Sequence, residues 1–173
     1  VFLLNLPPDT RGLIHENDVA SLRGMRRILD ETFRANLVTG AAVMSSGARE
    51  GTRAEAILDN DLETYWMPSG EAPGAVVEIR LDGVKTFDTA MLQENILVGQ
   101  RVERFALDAW VDGAWREITG GTTIGYKRLL RFPETTSGRV RLRILESRTS
   151  PAIGSLGLYD SPVAHEQIDA AGR

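Results

Sequence analysis

Apolar and polar residues alternate along most of this chain, most clearly after residue 100. Phe105, Leu107, Ala109 and Val111 alternate with Ala106, Asp108, Trp110 and Asp112, a period of two that marks a half-buried strand. Asp112-Gly113 follows, a dipeptide that tolerates the positive φ angles of a two-residue hairpin turn. The chain returns through Ala114-Trp115-Arg116-Glu117-Ile118, breaks at Gly120-Gly121, and starts another strand over 126–132. Over 139–145, Val140, Leu142 and Ile144 face in while Arg139, Arg141 and Arg143 face out. Further strands are predicted at 41–44, 75–81, 87–93 and 153–159, with a turn at Asp82-Gly83. Many short strands separated by close turns predict an antiparallel sandwich or barrel, so the chain is mainly β.

Before residue 37 the period changes. Val19, Leu22, Met25, Ile28, Leu29, Thr32 and Phe33 recur at three- and four-residue steps, which predicts a helix with one apolar face. Asn17 or Asp18 is the expected N-cap, and the helix should end near Asn36. Val1-Phe2-Leu3-Leu4, ended by Asn5 and Pro7-Pro8-Asp9, has the pattern of a fully buried strand of a parallel sheet. No parallel partner follows it, so its sheet is expected upstream and the chain reads as a fragment. The expected division is 1–36, 37–162 and a polar, mobile tail over 163–173.

Composition removes several function classes. A chain of 173 residues suits one domain with some extra chain. A net charge of −4 argues against nucleic acid as the main partner. No apolar run approaches the roughly 18 residues of a membrane-spanning helix. The absence of cysteine excludes disulfides, thiolate catalysis and cysteine-based zinc sites.

Two groups of residues could carry chemistry. Asp59, Asp61 and Thr64, just before Trp66, supply hard oxygen donors of the kind Ca²⁺ takes. The same spacing also makes an Asx-stabilised turn leading into a core tryptophan. Gln93, Glu94, Gln100 and Arg101 lie on one loop, and Tyr126, Lys127 and Arg128 open a later strand. An aromatic platform beside fixed polar groups suits a sugar; the same loops would equally dock the sandwich on another domain. Trp110 and Trp115 flank the hairpin turn, where a cross-strand pair competes with stacking on a sugar. His15 and His165 have no obvious Ser or Cys partner. Glu94, Glu103, Asp108 and Glu117 show no spacing that forces two carboxylates together, so no catalytic residue is assigned.

The motifs QENI-x-x-GQRVERF, the Asp-Gly hairpin and TTIGYKRLLRF resemble the C-terminal β-sandwich of α-L-fucosidases of glycoside hydrolase family 29. LLNLPPDTRGLIHENDVASLRGMRRIL resembles the last strand and helix of that family's catalytic (β/α)8 barrel. The resemblance implies a galactose-binding-like jelly roll, preceded by one strand and one helix left from the barrel. It also implies retaining hydrolysis of terminal α-L-fucose from a fucosylated oligosaccharide or glycoconjugate, with no cofactor required, in an extracellular or periplasmic setting. The family's nucleophile and acid/base residue lie further upstream, so this chain alone is expected to be inactive. Asp59, Asp61 and Thr64 resemble the structural calcium loop of family-32 carbohydrate-binding modules and discoidin-type domains. There the closing strand usually adds a Glu, where this chain has Ser155. Arg101 matches the Gly-Arg element of those modules, which implies sugar contact. In that alternative, residues 37–162 form a carbohydrate-binding module for galactosides or other glycans.

Overall fold

The computed structural model of the chain describes residues 4–61, 63–70 and 74–163. Helix α1 spans Glu16–Thr32. Its N-cap is His15, whose Nδ1 accepts the Asn17 N–H at 3.2 Å. The expected caps, Asn17 and Asp18, already lie in the first turn, because the helix begins earlier than its apolar pattern. Glu16 and Asp18 there complement the positive end of the helix dipole. The helix also stops short of Asn36, with the Phe33 N–H closing on the Leu29 carbonyl at 3.0 Å. Asn36 does other work. Its Oδ1 accepts the Val38 N–H at 3.3 Å and the Leu158 N–H at 3.1 Å, fixing the crossover onto the last strand. The strand expected over 1–4 lies outside the described residues apart from Leu4, which is in irregular backbone and 44% exposed.

Among the described residues six strands follow: β1 (Ala42–Ser45), β2 (Val76–Glu94), β3 (Val102–Val111), β4 (Ala114–Gly121), β5 (Arg128–Ser147) and β6 (Ile153–Tyr159). All neighbours are antiparallel, in the order β1-β2-β5-β3-β4, with β6 on β2. The long strands β2 and β5 pair twice. Val76–Arg80 runs against 139–143 beside β1, and 85–92 runs against 128–137 beside β6. Between Arg80 and Lys85 the register shifts, and the pairing of the two strands resumes at Lys85 and Ser137. They thereby carry the chain from one layer (β1-β2-β5-β3-β4) into the other (β6-β2-β5). The turn expected at Asp82-Gly83 is therefore a bulged bend within one strand, because β5 partners β2 on both sides of it.

The two layers enclose the core. Phe87 and Phe132 meet edge-to-face at 6.1 Å, among buried Trp66, Ile79, Leu107, Leu142, Ile144 and Leu156. Each such side chain contributes about 1.5–3 kcal/mol when fully removed from water. The β3–β4 hairpin turns at Asp112 and Gly113, with φ of 52° and 75°, as its sequence predicts. β4 ends at Gly121, where the sequence expects its break. Gly120 faces Ala106, and a Cβ there would lie 2.8 Å from the Phe105 carbonyl oxygen. Glycine here permits close pairing over the last two residues of the strand.

Candidate functional site

At one end of the sandwich the loops after β2 and before β5 are gathered on Glu94, which is 3% exposed. Its Oε1 accepts the backbone N–H groups of Arg101 at 2.8 Å and Val102 at 3.0 Å, and its Oε2 that of Gly125 at 2.8 Å. Charge-assisted bonds to three backbone donors make this carboxylate a pin between two loops. Its neighbour Gln93 donates from Nε2 to the Tyr126 carbonyl at 3.1 Å. Asn95, which the sequence reading passed over, caps the short turn Ile96–Val98 by accepting the Leu97 N–H at 3.1 Å. An Asn directly before a short apolar turn is the signal that reveals such a cap. Arg101 turns its guanidinium onto the protein. Nε and Nη2 donate to the Val98 carbonyl at 3.1 and 2.8 Å, and Nη1 to the Ser150 carbonyl at 2.7 Å.

Beside these pins lies a cleft of about 330 Å³ lined by Glu63, Gln93, Glu94, Asn95, Ile96, Leu97, Tyr126 and Gly154. Tyr126 is 57% and Leu97 83% exposed at its mouth. The structure thus brings Gln93, Glu94 and Tyr126 together. Arg101, Lys127 and Arg128 do not line the cleft; Arg128 instead donates from Nη1 to the Thr123 carbonyl at 3.1 Å. An aromatic ring and aliphatic side chains above a buried amide can hold one face of a small ligand.

The outer face of the larger layer is a ladder of cations and indoles. Trp110 and Trp115 are cross-strand partners packed edge-to-face at 5.3 Å. Arg139 stacks 4.8 and 5.1 Å from their centroids, and Arg141 lies 4.6 Å from that of Trp115. Buried Asp108 accepts from Arg141 Nε at 2.6 Å and from Arg143 Nε and Nη2 at 2.7 and 2.9 Å. Burial pushes its carboxyl upward, but the two guanidiniums outweigh that and hold it below the ordinary carboxylate range. The tryptophans accordingly serve the hairpin, and Asp108 is an ion-pair anchor rather than an acid for catalysis.

Asp59 sits at the C-terminal end of the short turn Ala54–Leu58. Its Oδ1 accepts the Asp61 N–H at 3.0 Å, the Thr64 hydroxyl reaches both oxygens at 2.9 Å, and Arg53 Nη2 donates to Oδ2 at 2.9 Å. Burial raises the Asp59 pKa; the Asp61 N–H, Arg53 and Thr64 together outweigh it and leave the group lowered. Asp61 in turn accepts the Glu63 N–H at 2.9 Å. Calcium takes six to eight oxygen ligands. Here one carboxylate already carries a guanidinium and the other faces backbone. Among the described residues, no three acidic or histidine side chains form a group that could hold a metal. Both carboxylates of the loop are thus already engaged within it. The sequence reading missed Arg53; a basic residue immediately before the turn that Asp59 closes was the available signal.

A two-layer jelly roll with its loops gathered at one end is the architecture of a galactose-binding-like domain. The chain belongs to the F5/8 type C domain family, whose model matches residues 41–156. It is 34% identical over 166 residues to Alpha-L-fucosidase 1 of Arabidopsis thaliana, covering 92% of this chain and 33% of that protein. A GH29 fucosidase of Ruminococcus gnavus solved in complex with fucose is 29% identical with a TM-score of 0.82, covering 92% of this chain and 33% of that one. The family 32 carbohydrate-binding module of C. perfringens NanJ, solved with galactose, shares the fold at 12% identity and a TM-score of 0.65, over 73% of this chain and 98% of that one. The chain spans about a third of the length of the fucosidases it matches, as their C-terminal part.

Proposed function

We propose that this chain works as the C-terminal region of a retaining α-L-fucosidase, its sandwich docking on a catalytic barrel that removes terminal α-L-fucose from oligosaccharides or glycoconjugates. The carrying observation is the uncovered apolar face of α1. Met25, Ile28 and Leu29 are 45%, 37% and 41% exposed, and Leu13 and Ile14 just ahead of the helix are 59% and 43% exposed. A groove of about 500 Å³ between the helix and residues 4–7 is lined by Leu4, Leu6, Pro7, Leu22 and Met25, with Asn5, Asp18 and Ser21 among them. Exposed apolar side chains gathered along one helix mark an interaction face. The longer relatives that span this chain are fucosidases, which supports a catalytic barrel as the occupant.

The chain alone does not turn over substrate in this reading. Its buried acids are bound to fold-holding partners: Glu94 to three backbone N–H groups, Asp108 to two arginines, and Asp88 to Arg131 at 2.8 Å. The test is release of 4-nitrophenol from an aryl α-L-fucoside. The purified chain should release none, and the protein extended by its upstream gene sequence should release it with retention at the anomeric carbon. Turnover by the chain alone, or none by the extended protein, defeats the proposal.

A second reading rests on the Tyr126 cleft, whose aromatic mouth and buried Gln93 suit a glycan. It expects the isolated chain to bind galactosides or fucosides in a glycan array and to lose them on Tyr126→Ala. Signals equal in both proteins would remove it.

A further inference from the structure

We propose that Arg53 takes the place of a bound cation in the Asp59 loop, so that this sandwich fastens the loop by an internal ion pair and does not depend on calcium. The inference stands apart from the fucosidase reading and does not need it.

The loop has something to hold. It runs directly into Trp66, which is 0% exposed. Trp66 exchanges backbone hydrogen bonds with Ile153 at 2.8 and 2.9 Å, and its indole N–H donates to the Gly47 carbonyl at 2.9 Å. The loop therefore sets how the core tryptophan reaches β6. It also contains a strained residue, Asn60, with φ of 59°, and such backbone persists when its surroundings over-determine it.

What over-determines it is the network around Asp59. Arg53 and Asp59 are the two caps of the turn Ala54–Leu58. Their ion pair at 2.9 Å closes that turn from end to end. Asp59 then collects the Asp61 N–H and the Thr64 hydroxyl from the far side of the loop. A guanidinium is a fixed cation with directed donors, so it neutralises and orients a carboxylate as an ion would, without further oxygen ligands. The adjoining pocket of about 250 Å³ is lined by Arg53, Glu63 and Thr64, and neither Asp59 nor Asp61 lines it. The carboxylates are engaged by the guanidinium and the backbone.

Thermal unfolding of the chain in millimolar CaCl₂ and in EDTA tests this, with Arg53→Met and Arg53→Lys alongside. The chain should unfold at the same temperature in both solutions. Arg53→Met should lower the midpoint by about 2 °C in both, the scale of a partly exposed ion pair in a domain of this size. Arg53→Lys, which keeps a cation, should lower it by less. Terbium added to the native chain should give no emission sensitised by Tyr65 and Trp66. A midpoint that falls in EDTA, sensitised terbium emission, or an Arg53→Met protein that unfolds with the wild type would each overturn the proposal.

Discussion

Helix α1 and strand β5 carry apolar patterns of similar clarity, and they end in opposite environments. On β5, Val140, Leu142 and Ile144 are 0% exposed, while on α1 Met25 and Leu29 are 45% and 41% exposed. Thr32 is the buried residue of the helix. The helix meets the sandwich at its C-terminal end, where Phe33 packs edge-on to Tyr159 at 4.8 Å and the Thr32 hydroxyl faces Ser161 at 3.4 Å. Periodicity thus tells which face of an element is meant for burial, and does not say whether the covering surface belongs to the same domain. The sandwich covers its own pattern. The helix is patterned for a surface that the described residues do not supply.

The contrast can be broken most forcefully in the core. Leu142→Ala should lower unfolding free energy by about 4 kcal/mol in urea titration, through lost burial and the cavity left behind. Leu29→Ala in the same protein should cost no more than about 0.5 kcal/mol, as for other exposed positions. Equal costs would mean that α1 is packed in solution. Next in size is Glu94→Ala, expected to cost about 3 kcal/mol, because it leaves the N–H groups of Arg101, Val102 and Gly125 without their acceptor. Amide exchange over 95–101 and 122–127 should accelerate with it; unchanged exchange would show that the loops stand without the pin.

A smaller effect separates the outer ladder from the core. The Asp108 carboxyl is held below its unfolded value, which is about 3.9. A depressed folded-state pKa gives stability that is present above the unfolded pKa and lost as pH falls through the folded one. Asp108→Asn should therefore cost about 2 kcal/mol at neutral pH and progressively less below pH of about 4. Urea midpoints measured across that range check it, and a variant that stays parallel to the wild type in acid would rule out the carboxylate as the titrating group.

The fold was legible where its signals are local. Alternation plus Asp112-Gly113 defines the β3–β4 hairpin without reference to any other strand, and the structure has it. Asp82-Gly83 uses the same residue types and does not reverse the chain, since β5 pairs β2 on both sides of it. Its meaning depends on a partner strand that local sequence does not name. The loop end was legible in part. Gln93, Glu94 and Tyr126 do converge on one cleft, but a buried pin such as Glu94 looks, in sequence, like any solvated acid near a strand end. Arg101 was placed by its motif and is turned inward by the Val98 and Ser150 carbonyls, which no spacing announces.

The smallest effect in the isolated chain is also the sharpest test of the helix. Ile28 is 37% exposed, so Ile28→Asp should change the chain's own unfolding free energy by no more than about 0.5 kcal/mol. If α1 docks on a barrel as proposed, the same aspartate would be buried there against apolar side chains, unpaired, at a cost of several kcal/mol. Activity on an aryl fucoside and thermal midpoint should then fall together in the extended protein, while the chain alone unfolds almost as before. If the extended protein tolerates Ile28→Asp as well as the chain does, this face of α1 is simply solvated, and the proposed docking loses the observation that carries it.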